Sequence, residues 1–517
     1  MNADDLLNII GSTADKHVRD AHEPKTKRRK RQLFNLAIGA AACLVLAPTV
    51  LFGGMWLLFG GMGASAPMDG SGAAVNESGI YEFDAYEGPV LPLTTLESSE
   101  GIEASRKLDI SFASFGDERS YPPSADLSDS YLLCNTTDAD ISLTALYPYA
   151  ASIRELHEED FVPELYIDGT LRSSTVAELI CGPYSGSFAA PGSISDPEMA
   201  SANLIGPSSF NDYVNLFDGS SYLEQSLSPA PELEYPITVY ELGDYEYTSD
   251  SEATNPTLNF SYRADSSKTT VFTWNFNGGS NRDDGSYERH VGGIMIRPNA
   301  SPENIYPKNA YIIVLGEDIS DYSVQGYRNG GCKAGEELHD LGCSVKRYES
   351  TLGEMLRILI EDNMRCDTEL LYTAAARQLL SYGSIGHEPA TRYGWDMLDE
   401  LVYDVYSQQR MAYLRFPVTV PAGGSISLEI RINKPASYNH YHGGGDGDPT
   451  LFGFDFATKL GSALRFTEQY ASISDYEEIE IISSNFGFDL ESGETETLLD
   501  PNTQHYWLNV RKKTVEE

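Results

Sequence analysis

Apolar residues recur along this chain with three different periods, and each period predicts a different kind of element. Residues 33–60, LFNLAIGAAACLVLAPTVLFGGMWLLFG, form a run of 28 positions without a charge. About 20 such residues span the hydrocarbon of a bilayer, so the run is long enough to cross with tilt or overhang. Pro48 and the Gly53-Gly54 pair are tolerated in a spanning helix, and Trp56 near the outer end suits an interfacial position. Period two begins further on. Residues 130–148, SYLLCNTTDADISLTALYP, predict a strand, a polar turn at 135–140 and a second strand with Ile141, Leu143 and Ala145 on one face. Residues 413–432, YLRFPVTVPAGGSISLEIRI, predict a hairpin in which Val418 and Val420 lead into Pro421-Ala422-Gly423-Gly424, and Ile426, Leu428 and Ile430 alternate on the return. Further strands are predicted at 269–276, 310–318, 477–484, 486–490 and 505–512.

The helical period appears in the middle and at the N-terminus. Thr351 and Glu354 have the spacing of a capping box, and Leu352, Met355, Leu356, Leu359, Ile360 and Met364 trace one face of the helix they open. Stretches 369–382 and 394–406 continue in the same way, and these stripes read as core. Residues 2–22 predict a short amphipathic helix capped by Asn2, with Leu6, Leu7, Ile10, Ala14 and Val18 on one face. A helix this short is marginal alone in water, so its stripe wants a cytosolic partner or the membrane surface, unless the tail serves only to set topology.

The predicted fold class is mainly β with an α+β insertion: a β-sandwich ectodomain behind a single N-terminal transmembrane helix. Its parts are a cytoplasmic tail (1–32), the transmembrane helix (33–60), a linker or stalk rich in small and acidic residues (61–104), a first sandwich part (105–235), an α+β domain (236–410) and a C-terminal β-rich part (411–517). The last part either completes the sandwich across the insertion or stands as a third consecutive domain.

Two stretches resemble known families. The order Asn135-Thr136-Thr137-Asp138, then Tyr147-Pro148, then a distant Val420-Pro421-Ala422-Gly423-Gly424 resembles single-pass surface proteins of Gram-positive bacteria with a β-sandwich ectodomain. The opening DDLLNIIG, a polar stretch and KTKRRKRQ before the apolar run is similar to transmembrane anti-sigma regulators, which implies a tail that holds a cytosolic factor. The zinc-binding His/Cys/Cys pattern of many anti-sigma domains is missing, because His17 and His22 have no cysteine beside them.

Charge sharpens this picture. The chain has 517 residues with 36 Lys and Arg against 77 Asp and Glu, a net charge of −41. Residues 1–32 hold eight basic and five acidic side chains, which leaves 28 basic and 72 acidic residues, a net of −44, for the remainder. Lys25, Lys27, Arg28, Arg29, Lys30 and Arg31 directly precede the apolar run and predict a cytoplasmic N-terminus at the cell membrane, with the C-terminal bulk extracellular. The alternatives are a cleaved signal peptide, for which Ala64-Ser65-Ala66 fits, and a buried core helix; a signal core of 7–15 residues is shorter than this run. A phosphate backbone needs a basic face, so nucleic acid is excluded as a partner.

The search for chemistry finds no Gly-x-Ser-x-Gly, His-Glu-x-x-His, phosphate loop or dinucleotide fingerprint, so no catalytic residue and no cofactor is predicted. The nearest thing to a site is NHYHGGGDGDP (439–449). His440 and His442 share a face if extended, and with Asp446 and Asp448 they offer metal ligands, unless the segment is only a glycine-rich loop. Asp283, Asp284 and Glu288 in NRDDGSYERH offer oxygen ligands for calcium at what reads as a hairpin tip. Cys43 lies in the apolar run; of the rest, Cys332–Cys343 and Cys134–Cys181 are candidate disulfides, leaving Cys366. The 32 tyrosines read as sheet packing, or as the lining of a binding face. The functional expectation is a membrane-anchored surface protein that binds or senses a wall polymer, a carbohydrate or a surface protein without catalysis. The alternatives are the anti-sigma-like regulator, with residues 1–32 on a cytosolic partner, and an envelope glycosidase.

Overall fold

Alternation of apolar and polar residues makes strands of about half of the described residues. The computed structural model describes residues 86–115, 123–158, 161–172, 176–182, 209–217, 221–246, 248–250, 252–265, 267–276, 279–282, 288–295, 309–381, 385, 397–440 and 448–513. The tail helix, the 33–60 run and residues 61–85 lie outside them. Among the described residues no helix is long and apolar enough to cross a membrane. The first segment gives β1 (Thr94–Thr95), β2 (Ile102–Ser111), β3 (Ser124–Asn135), β4 (Ile141–Ala151), β5 (Glu164–Ile167), β6 (Thr170–Leu171) and β7 (Glu178–Cys181), then helices α1 (Phe210–Phe217) and α2 (Ser221–Leu227). The middle gives β8 (Pro236–Glu246), β9 (Thr257–Arg263), β10 (Thr269–Trp274), β11 (Gly279–Arg282), β12 (Glu288–Met295), β13 (Ala310–Gly316), β14 (Ser320–Tyr327), β15 (Glu337–Leu338) and β16 (Gly342–Thr351). Helices α3 (Leu352–Asn363), α4 (Thr368–Ser381) and α5 (Leu398–Ser407) follow. The last segment gives β17 (Arg410–Val420), β18 (Ser425–Pro435), β19 (Tyr438–His440), β20 (Asp448–Ala457), β21 (Arg465–Ser474), β22 (Ile479–Ser484), β23 (Glu496–Leu498) and β24 (His505–Lys512).

Two sheets join the ends of the chain. A seven-stranded sheet runs β23-β21-β2-β3-β18-β5-β6 and a four-stranded sheet runs β1-β4-β17-β7. β3 pairs with β18 and β4 with β17, the latter from Ile141 opposite Val420 to Ala151 opposite Arg410. Residues 413–432 are therefore not the hairpin expected: β17 and β18 lie in different sheets, and the chain between them is an arch. Period two says which side chains share a face, but not which strand takes the backbone hydrogen bonds. The turns of the two arches are stitched together. Asn135 N donates to Gly424 O at 2.9 Å and Gly423 N to Thr137 O at 2.8 Å. Ala422 N donates to Asp140 Oδ1 at 2.9 Å, and Gly423 has φ +59°, which its missing Cβ permits.

The middle builds three layers. β10-β13-β8-β16 form a sheet that is apolar on both faces. Val239, Phe272, Trp274 and Ile313 face the core that holds Leu356, Leu359, Leu371 and Leu401 of the helices. Tyr240, Val271, Ile312 and Val314 face Leu258, Phe260 and Tyr262 of the five-stranded sheet β11-β12-β9-β14-β15. This explains the unbroken apolar run in β13. The capping box forms as the spacing predicts: Thr351 Oγ1 accepts from Glu354 N at 3.3 Å, and Glu354 Oε2 accepts from Thr351 N at 3.4 Å. Thr351→Ala is expected to destabilise the fold by about 1 kcal/mol, read as a lower urea midpoint at unchanged slope.

A fifth sheet, β19-β20-β24-β22, lays Phe452, Phe454 and Phe456 on the common core. The predicted strand at 486–490 is instead irregular, with Gly487 at φ +82° and an isolated bridge from Asp489 to Glu494, yet Phe486 is still buried. Residues 86–104, predicted as linker, are part of the fold. Val90, Leu91, Leu93, Ile102 and Ala104 are buried; a few apolar residues without a sustained period gave no strand signal. Cys134, Cys181, Cys332, Cys343 and Cys366 are all free thiols, so neither expected disulfide forms.

Candidate functional site

The chain enters this fold as a strap, residues 86–95, laid between two sheets. Val90 N donates to Asp455 O and Ala457 N to Val90 O, both at 2.8 Å, so the strap extends the fifth sheet alongside β20. Thr94 and Thr95 then pair with Leu146 and Ala145 at the edge of β4. Gly88 is required at the crossing. Its φ is +77°, and a Cβ there would meet the Ala150 methyl at 2.5 Å and the Tyr213 hydroxyl at 2.6 Å.

Polar groups cluster beneath the strap. Tyr86 donates to Asp455 Oδ2 at 2.5 Å, and Ser437 Oγ donates to Gly88 O at 2.8 Å while accepting from Asp455 N at 3.0 Å. His505 Nε2 lies 2.9 Å from Asp455 Oδ1, off the line of a good hydrogen bond, and its ring stacks on Phe210 at 3.9 Å. Tyr438 stacks on Tyr86 at 6.2 Å and donates to Asn509 Oδ1 at 2.9 Å. Ring–ring and hydroxyl contacts of this kind hold an aromatic cluster in one arrangement.

A small pocket opens beside it, lined by Glu87, Glu155, Phe161, Gln409 and Lys434 among others. Lys434 is buried at the end of β18, and its Nζ donates to Glu87 O at 3.1 Å and Pro435 O at 2.8 Å. Glu155 accepts from Ser152 N at 2.7 Å and from Gln409 Nε2 at 2.8 Å. Burial and the Glu155 carboxylate push the half-buried Glu87 carboxyl up to about 7, partly opposed by Lys434. Burial likewise holds the Lys434 amine down to about 8, against the pull of Glu87, Glu155 and Asp455. The pocket has interior room for about one water, which is too little for a sugar ring.

A buried ion pair lies in the core. Arg106 and Asp129 pair bidentately at 2.7 and 2.8 Å, Tyr131 donates to Asp129 at 2.7 Å, and Arg106 also reaches Ala457 O. Tyr131 accepts in turn from Leu93 N of the strap. All of its members are buried, so this is a scaffold.

The predicted ligands are only partly placed. His440 ends β19 and stands opposite Asp448 at the start of β20, whereas His442 and Asp446 lie outside the described residues. Glu288 opens β12 opposite Arg282, with Asp283 and Asp284 outside the described residues. Among the described residues no group of three His, Cys, Asp or Glu is placed to hold a metal ion. Sequence reasoning missed Glu87, Lys434 and Glu155 because single charged residues hundreds of positions apart carry no pattern. Lys434 on an alternating strand was the one available signal, since its parity puts it on the buried face with Leu428, Ile430 and Ile432. Among the described residues most tyrosines pack: Tyr131, Tyr147, Tyr213, Tyr372 and Tyr413 are fully buried. Set against models of known protein families the chain matches none, and set against curated proteins it likewise finds no match.

Proposed function

We propose that this chain is a membrane-anchored surface protein of a Gram-positive cell, a β-sandwich ectodomain behind one N-terminal transmembrane helix, that binds a wall carbohydrate polymer without catalysis. The observation that carries this reading is the outer face of the seven-stranded sheet. Cross-strand register lays out one row as Leu498, Tyr470, Lys107, Ser130, Glu429 and Tyr166, and the next as Glu496, Ser472, Asp109, Ser128, Arg431 and Glu164. Six strands at about 4.8 Å spacing make rows roughly 24 Å wide. The side chains hold one another: Lys107 pairs with Glu496 at 2.8 Å, Ser472 donates to Asp109 at 2.8 Å, Ser128 donates to Glu429 at 2.9 Å and Arg431 lies 4.5 Å over the Tyr166 ring. Donors and acceptors fixed in register, with a tyrosine near each end, match a repeating hydroxyl- and amide-bearing chain better than a compact ligand.

The test has two arms. Full-length protein in detergent is expected to co-sediment with purified cell walls, and Tyr470→Ala with Tyr166→Ala is expected to weaken that retention at least tenfold. Retention unchanged in the double variant overturns the binding face. Protease added to intact cells is expected to remove residues past 100 and leave an N-terminal membrane stub; protection of that region overturns the anchor. Capture of a cytosolic factor by residues 1–32 would move the reading to a transmembrane regulator, for which the stripe from Leu6 to Val18 is the supporting feature.

A further inference from the structure

The strap is the only covalent route from the 33–60 run to the fold, and 25 residues separate Gly60 from Tyr86. Its seat is unusual in what it buries. Glu87 is on the strap itself and lines one pocket with Glu155 after β4 and Lys434 of β18, while the charges of Glu87 on Tyr213 of α1 and of Asp455 of β20 on Lys434 act through space. The main chain of the same residue is held on both sides, since Glu87 N donates to Ser437 O at 2.8 Å and Glu87 O accepts from Lys434 Nζ. A change of charge in the pocket therefore acts on the residue whose backbone fastens the strap.

We infer that residues 86–95 form a pH-gated latch, in which the protonation of Glu87 against Lys434 and Glu155 sets how firmly the segment leading to the apolar run is seated on the fold.

The signs follow from linkage. Seated Glu87 titrates near 7 instead of its ordinary 4.5, so between these values the seated strap binds a proton that the released strap does not. The seat therefore tightens as pH falls through this range, by up to tenfold per unit, and that gain is lost as pH rises through 7. Lys434 works in the opposite direction at higher pH. It titrates near 8 when buried instead of its ordinary 10.5, so its seat is best above 10.5 and weakens as pH falls through 8. The strap is loosest near pH 7–8, where Lys434 is charged while buried and the half-buried Glu87 is charged beside Glu155.

Hydrogen exchange on the full-length protein reads the latch directly. The Glu87 and Val90 amides, bonded to Ser437 O and Asp455 O, are expected to gain protection severalfold to tenfold per unit from pH 7 to pH 5, after correction for intrinsic exchange. Amides of α3 are expected not to follow. Glu87→Gln is expected to flatten the strap's pH dependence. Glu155→Gln, which leaves the strap untouched, is expected to move the transition to lower pH. Strap protection that does not change with pH, or that changes equally in Glu87→Gln, overturns the latch. The measurement needs no membrane and no wall polymer, so its failure is distinct from failure of the proposed function.

Discussion

Arg106→Met is expected to destabilise the fold by about 3–5 kcal/mol, because it leaves the Asp129 carboxylate buried without its counter-charge. Arg106 and Asp129 are 2% and 0% exposed, so water cannot replace the lost partner. Tyr131 and Tyr147 still donate to Asp129, at 2.7 and 3.3 Å, but two phenols do not neutralise a charge. The loss also reaches the strap, whose Leu93 N donates to the same Tyr131 hydroxyl. The pair itself is a different matter. Two buried charges and an apolar pair of similar volume are often close in stability, so Arg106→Met with Asp129→Leu is expected to recover much of what the single change loses. Urea midpoints of the single and double variants decide it, and a double variant as unstable as the single one contradicts this account.

Phe454→Ala is expected to lower stability by a similar amount, about 3–5 kcal/mol, for a different reason. The ring is 1% exposed and meets Phe112 edge-on at 5.6 Å and Phe115 at 6.5 Å, at the point where the fifth sheet covers the seven-stranded one. Truncation leaves a cavity walled by rigid rings on two sheets, which cannot collapse without moving a strand. Phe454→Leu, which refills most of the volume, is expected to lose less than half as much. Equal losses in the two variants would mean that the ring contacts, not the volume, stabilise this junction.

Local structure was readable wherever one short stretch contains its own evidence. The capping box at Thr351 and Glu354, the stripe from Leu352 to Ile360 and the strand at 505–512 are spelled out by neighbours three, four or two positions apart. The strap was not readable, because Val90, Leu91 and Leu93 are too few to set a period, and their burial depends on β4 and β20 arriving from elsewhere. Pairing was not readable either: residues 413–432 alternate as a hairpin would, but each half found a longer partner in β3 or β4. The cluster of Glu87, Glu155 and Lys434 is assembled from three such distant segments, so no spacing announces it.

By itself the sequence determined the helices that follow Thr351 and the strands with a clear period, where the charge-free run and its basic flank lie, and that the remainder is strongly acidic, because each depends on residues close together in the chain. Which arch stacks on which, which sheet takes β18, and which carboxylates and amine share one pocket were decided only by tertiary structure. Those outcomes rest on burial and hydrogen bonding between segments hundreds of residues apart, and the free energy of such contacts exists only once the chain has closed on itself.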